Sequence, residues 1–171
     1  IQAIAPVSEA DLHAALEKLV EVEILYRRGV EQQTRYFFKH ALIQDTAYDT
    51  LLRSRRQEIH ARIAQVLKDA NEVEPELIAH HFTNAGLFLE AAPEWLRAGQ
   101  QAVARSANIE AIAHLTRGLE IVRSLPDSKK TRHIELAMQI SLGSAQIAAR
   151  GYSAVETEQA YVRARELLTE E

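Results

Sequence analysis

Residues 79–118 read AHHFTNAGLFLEAAPEWLRAGQQAVARSANIEAIAHLTRG, and the order of small and large side chains in this stretch decides the fold. Ala79, Phe82, Gly86, Ala91, Trp95 and Ala98 are spaced 3, 4, 5, 4 and 3 residues apart. Gly99, Ala102, Ser106, Ala111, Leu115 and Gly118 repeat the same spacing. Steps of three and four keep side chains on one helical face, and the longer middle step leaves room for a turn. Small residues on such a face let two antiparallel helices approach, and large ones fill the groove between them. The two registers begin 20 residues apart, so the second helix of one hairpin serves as the first helix of the next.

Working outward, Pro75 suits the first turn of a helix, where its missing amide would have no partner anyway. That helix runs through Leu77, Ile78, His81 and Phe82 and stops at Gly86, a residue able to take the left-handed cap. The next carries Trp95, Leu96, Ala98, Gly99, Ala102 and Val103; Pro93 breaks the amide ladder and places its start near Ala92. A third carries Ile109, Ile112, Ala113, Leu115, Leu119 and Ile121 and closes at Leu125-Pro126. A fourth runs from Ile134 to Ala149, ended by Gly151, and a fifth begins near Val155. The small–large alternation matches the tetratricopeptide repeat. A tandem array of that kind repeats at about 34 residues, so the two registers are overlapping neighbours and not two complete repeats. Leu142-Gly143 and Ala160 suggest a further degenerate unit with a longer turn at residues 150–153. An Ala-rich helical stack without a true repeat is the plainer alternative.

The first seventy residues read as helix, hairpin, helix, helix. Ser8 opens a capping box with Asp11, flanked by Val7 and Leu12 at staple positions. Leu12, Leu16, Leu19 and Val20 form one apolar face. Ile24-Leu25-Tyr26 and Arg35-Tyr36-Phe37-Phe38 are β-prone and flank a polar turn running from Arg27 to Thr34. Helix resumes near His40, with Leu42, Tyr48, Leu51 and Leu52 on one side, and a stripe at Ile59, Ile63, Val66 and Leu67 continues to Ala70. Asp49 and Arg53, like Glu58 and Arg62, have the spacing of exposed ion pairs. A helix leading into a hairpin is the skeleton of a winged helix; a helical bundle with an incidental loop is the alternative. The fold class is therefore mainly α, with residues 1–70 as a winged-helix-like module and residues 71–171 as tetratricopeptide-like helical hairpins.

Composition agrees. Of 171 residues, 47% are hydrophobic but only 6% aromatic, with 6 Gly, 4 Pro and no Cys, which excludes collagenous, disordered and disulfide-stapled classes. No apolar run approaches the roughly 18 residues of a membrane span and no signal-peptide pattern opens the chain, so a cytoplasmic setting without membrane contact is expected. Met138 is the single methionine, and residues 160–168 still read as helix close to the last residue. A chain cut from a longer protein, truncated at its C-terminal end, is the reading these two facts favour.

The blocks Arg35-Tyr36-Phe37-Phe38-Lys39-His40-Ala41-Leu42-Ile43-Gln44-Asp45, Ala47-Tyr48, Leu51-Leu52-Arg53-Ser54-Arg55-Arg56, Ile59-His60 and Ile63-Ala64 together resemble a segment of bacterial STAND-type signalling ATPases. Many of those proteins are fused to a class III adenylate/guanylate cyclase domain. Residues 76–82, 95–99 and 107–115 resemble the first helices of the tetratricopeptide region that follows the winged helix in that family. The resemblance implies a regulatory, protein-interaction role in signal transduction. Its partners would be a neighbouring nucleotide-binding domain and an unknown protein or peptide on the repeat surface, and ATP or ADP would be bound outside these residues. It also implies that His40 reaches a nucleotide phosphate. A helix-start histidine can donate to phosphate while helix amides add positive potential; a histidine packed as a structural donor is the alternative.

Catalytic chemistry is missing. There is no phosphate-cradling G-x-x-x-x-G-K-[ST] loop, no H-E-x-x-H and no nucleophile elbow. His80 and His81 are adjacent on a helix and diverge, so no catalytic residue, cofactor or metal ligand is assigned; any cyclase or ATPase activity belongs to the parent chain. Arg53, Arg55, Arg56 and Arg62 form a basic surface, which leaves a DNA-binding winged-helix regulator as the alternative function. Residues 1–70 carry ten basic and ten acidic side chains, however, and the whole chain has net charge −4, against the positive footprint that DNA demands. Dimerisation through exposed repeat ends is a third, purely structural reading.

Overall fold

A computed structural model describes residue 4 and residues 7–29, 34–70 and 73–169. Its elements run α1 (Glu9–Glu21), β1 (Leu25–Arg28), β2 (Arg35–Phe38), α2 (Ala41–Asp49), α3 (Arg53–Asp69), α4 (Pro75–Ala85), α5 (Phe88–Ala104), α6 (Asn108–Arg123), α7 (Lys129–Arg150) and α8 (Val155–Thr169). The chain is mainly helical with one small antiparallel hairpin, paired Leu25 to Phe38 through Arg28 to Arg35. No described helix is long and apolar enough to cross a membrane.

From α3 onward each helix packs against its successor, and α5 also meets α7. One core joins Ala64 of α3 to Ile78, Ala79 and Phe82 of α4, Trp95 of α5, Leu115 and Leu119 of α6 and Met138 of α7. A second patch gathers Ala102, Ala111 and Ala145. Every helical member of the two sequence registers is buried, while Gly86 and Ser106 occupy the turns with positive φ (77° and 61°). Gly86 thus caps α4 in the left-handed conformation that glycine adopts without steric cost.

Three glycines set the helix spacing. A Cβ on Gly99 would lie 2.5 Å from Leu115 Cδ2; one on Gly118 would lie 2.5 Å from Met138 Cε and 3.0 Å from Trp95 Cβ; one on Gly143 would lie 2.7 Å from the Tyr161 ring. Each of α5, α6 and α7 therefore seats a large side chain of the next helix on bare backbone. Trp95 satisfies its indole by donating to Thr83 Oγ1 at 3.0 Å. Glu94, only 3% exposed, is met by Lys68 at 3.4 Å and Arg97 at 2.6 Å, which ties α3 to α5.

Several sequence expectations are corrected. Helix α5 starts at Phe88, not Ala92, with Pro93 inside it. The carbonyl deprived of a partner is that of Leu89, a residue on the exposed side, so one lost bond is outweighed by burying Ala91, Ala92 and Trp95. Helix α7 starts five residues before Ile134, because Ser128 and Thr131 form a capping box. Ile109 is exposed. Arg27 and Arg28 belong to β1, so the turn is shorter than expected, and its residues 30–33 lie outside the described residues. Asp11 does not answer the Ser8 amide; Ser8 accepts from Asp11 N at 3.1 Å, and its hydroxyl donates to the Asp11 carboxylate at 2.7 Å.

The largest departure concerns α1 and α2, which bury no residue at all. Leu42 and Leu52, expected on an inner face, are each 77% exposed. Leu51 and Leu52 lie in the link between α2 and α3, outside either helix. That break also separates Asp49 from Arg53, and Asp49 pairs with Arg56 instead at 3.3 Å.

The glycine seats generate a ranked stability series. Helix propensity favours Gly→Ala by about 1 kcal/mol, whereas overpacking a closed site costs about 1–3 kcal/mol. Gly118→Ala, against the buried Met138 and Trp95, is expected to lower the urea-unfolding free energy by about 1 kcal/mol net. Gly143→Ala is expected to cost less, since the Tyr161 ring is partly exposed and can swing outward. Urea titrations followed by circular dichroism check the order; equal stabilisation by both would show that the seats are not tight.

Candidate functional site

The chemistry-bearing residues named from sequence fall around the hairpin, α2 and α3. His40 directly precedes α2 in extended backbone (φ −133°, ψ 130°) and is exposed. Its carbonyl accepts from Ile43 N at 3.1 Å and Gln44 N at 3.4 Å, while its imidazole caps nothing. The first α2 amides have no intrahelical acceptor, as at any helix start. An exposed imidazole beside that partial positive charge can donate to an anion. The hairpin behind it is held by a Lys39 N to Ile24 O bond of 3.0 Å and a Lys39–Glu23 ion pair of 2.7 Å. Lys39 draws the Glu23 carboxyl below its usual range. Arg27–Glu17 at 3.0 Å ties β1 to α1.

The four arginines expected to form one basic surface divide by helical phase. Arg53 and Arg56 line a cleft of about 500 Å³ with Tyr48, Asn84 and Arg117. Arg56 also lies over the Tyr48 ring, 5.0 Å from its centroid. On another side of α3, Arg55 at 2.5 Å and Arg62 at 2.7 Å share Glu58, whose pKa they pull down. Much of the basic charge is thus matched locally, and the arginines do not present one continuous positive face.

What sequence reasoning missed is a chain of hydrogen bonds through the joint between α2, α3 and α4. Tyr48 Oη lies 3.0 Å from His60 Nε2, and His60 Nδ1 lies 2.8 Å from His81 Nδ1. A directed chain satisfies both rings: the Tyr48 hydroxyl donates to His60 Nε2, and the His60 Nδ1 proton goes to His81 Nδ1, or every bond runs in reverse. Either way His60 is neutral, and burial keeps His81 neutral near pH 7. His80, expected to diverge from its neighbour, does not: its ring stands 5.6 Å from that of His81 and 6.4 Å from that of His60, while its Nε2 meets the Asn84 amide. The missed partner came from 21 residues upstream on the facing helix, and no local spacing announces such a pair.

Comparison with known proteins adds one relative. The chain is 32% identical over 157 residues to an uncharacterized protein of Rhizobium meliloti (strain 1021). The match covers 90% of this chain but only 15% of that protein's length. No family model matches the chain, and no solved structure matches it.

The histidine joint sets a pH dependence. Burial, reinforced by His60 and His80, pushes His81 down to about 4, and burial with His80 also lowers His60. The groups facing the pair are Tyr48 from α2 and His80 from α4, with Arg56 over the tyrosine ring. An unfolded histidine titrates near 6.5. Between about 6.5 and 4 the unfolded chain therefore binds the proton that folded His81 refuses, so stability falls as pH drops through that window. Thermal unfolding at pH 7.5 and pH 5 is expected to give a lower melting temperature in acid, with a smaller drop for His81→Gln. Equal drops in both proteins would remove His81 as the cause.

Proposed function

We propose that this chain is a non-catalytic regulatory and interaction segment of a nucleotide-dependent signalling protein of the STAND ATPase type. In this reading residues 1–70 are a winged-helix lobe that docks on a neighbouring nucleotide-binding domain. Residues 71–171 are tetratricopeptide-like hairpins that present a surface to a protein or peptide. ATP or ADP binds in the neighbouring domain, and a class III cyclase domain in the parent chain is compatible with the same resemblance.

One observation carries the proposal. The helical stack has its own core, whereas α1 and α2 bury nothing and leave Leu42 in solvent beside His40 and Leu52 in solvent past the far end of α2. Exposed apolar side chains clustered on one lobe mark a surface that another body covers. The order helix, hairpin, helix, helix supports the winged-helix part. The burial of Ala79, Phe82, Ala91, Trp95 and Ala98 supports the repeat part. His40 at the bare start of α2 supports a phosphate contact made across the docked interface.

Purified chain is expected to show no ATP hydrolysis and no cyclic-nucleotide synthesis; turnover above background would reject the reading. In a longer protein carrying this segment behind a nucleotide-binding module, His40→Ala is expected to speed ADP release about tenfold, the scale on which one charge-assisted contact acts. Leu42→Asp is expected to loosen the docked lobe while changing the isolated chain's stability by less than about 0.5 kcal/mol. Unchanged ADP release in both variants would reject the docking. Duplex-DNA binding that weakens steeply with salt and with Arg55→Glu would favour the DNA-binding alternative instead; a flat titration at low salt is expected.

A further inference from the structure

We propose that Glu76, Glu110 and His114 form a Zn²⁺ site between α4 and α6. Glu110 and His114 stand four residues apart on one face of α6, and Glu76 reaches them from the first turn of α4. One donor atom from each lies within 4.8 Å of the other two. His114 Nε2 stands between the carboxylates, 3.4 Å from Glu76 Oε2 and 3.4 Å from Glu110 Oε1.

The spacing leaves room for an ion, because the hydrogen bond between His114 Nε2 and Glu110 Oε1 is long at 3.4 Å and therefore weak. A charged imidazolium donating to a carboxylate closes to about 2.7–2.9 Å, and neither contact has done so. In a tetrahedral zinc centre with ligands at about 2.0–2.1 Å, the donors lie about 3.3–3.4 Å apart, which both observed distances match. Imidazole with carboxylates is also the donor set that suits Zn²⁺ better than Ca²⁺ or Mg²⁺.

The surroundings hold the ligands in place. The His114 side chain is 16% exposed, and its ring lies 5.6 Å from Trp95 with a tilt of 32°, which fixes the imidazole plane. Arg105 pairs with Glu110 Oε1, the same oxygen that faces His114, and also faces Glu74 at 4.0 Å, so metal binding moves this guanidinium off Glu110 and toward Glu74. Both carboxylates reach solvent, at 39% and 41% exposure, which gives the ion an entry path and leaves a coordination position for water. The site owes nothing to the docking lobe and goes beyond the regulatory reading.

Trp95 is the chain's single tryptophan and reports on this spot. Titrating dialysed protein with ZnCl₂ alone is expected to give saturable one-to-one binding by calorimetry, a change in Trp95 emission and a higher melting temperature. His114→Ala and Glu76→Gln are each expected to weaken binding about tenfold or more, as loss of a ligand does. The exposed His133→Ala and the joint variant His60→Gln are expected to leave it unchanged. Should His114→Ala fold poorly, Glu76→Gln at a half-exposed position carries the test. Absence of saturable binding, binding untouched by Glu76→Gln, or binding abolished by His60→Gln would overturn the proposal.

Discussion

The stack depends on helices coming closer than ordinary side chains allow. Gly99 receives Leu115, Gly118 receives Met138, and Gly143 receives Tyr161, so each contact hands the same arrangement on to the following helix. Glycine inside a helix sacrifices about 1 kcal/mol of helix propensity relative to alanine. The return is that Leu115 and Met138 become fully enclosed, and burying such a side chain stabilises by about 1.5–3 kcal/mol. Because large residues of one helix fill gaps in the helix before it, no hairpin completes its own core, and stability comes from stacking neighbours. The alanines at 79, 91, 98, 102 and 111 keep the remaining faces thin enough for this packing.

That self-sufficiency stops at the front of the molecule. Helix α3 joins the stack through Ala64 and through Lys68 on the buried Glu94, but α1 and α2 bury no residue and the hairpin buries only Leu25 among its described residues, with surface ion pairs and ring stacking such as Tyr26 on Phe37 at 5.4 Å around it. Surface ion pairs contribute about 0–1 kcal/mol each, so this lobe has little of its own to hold it rigid. The Tyr48–His60–His81 chain is where it meets the stack. Under the proposed docking, contact with another domain would set the position of this lobe.

How much of this was legible follows from the range of each interaction. Local signals read well: Pro75 and Gly86 bracket α4, Ser8 caps α1, and the spaced small and large residues mark the buried faces of α4, α5 and α6. Pro93 misled because its cost is a single bond, outweighed by tertiary burial that no local rule sees. The start of α7 was missed because Lys129 and Lys130 carry no apolar period, and Thr131 completed the cap in place of an acidic residue. Leu42 and Leu52 read as core because periodicity reports amphipathic character and not whether a partner is present. In the candidate sites, His40 and the arginines stood out by residue type, whereas the pairing of His60 with His81 and of Glu76 with His114 is set by the register of facing helices.

The most direct test of the stacking account is a double-mutant cycle on Gly99 and Leu115, measured as unfolding free energies in urea. Alone, Gly99→Ala drives a methyl group into Leu115 and is expected to destabilise. In a Leu115→Ala background the clash is gone, and the same substitution is expected to become neutral or stabilising by up to about 1 kcal/mol through helix propensity. A penalty of equal size in both backgrounds would contradict the claim that close helix approach at this glycine holds the stack together.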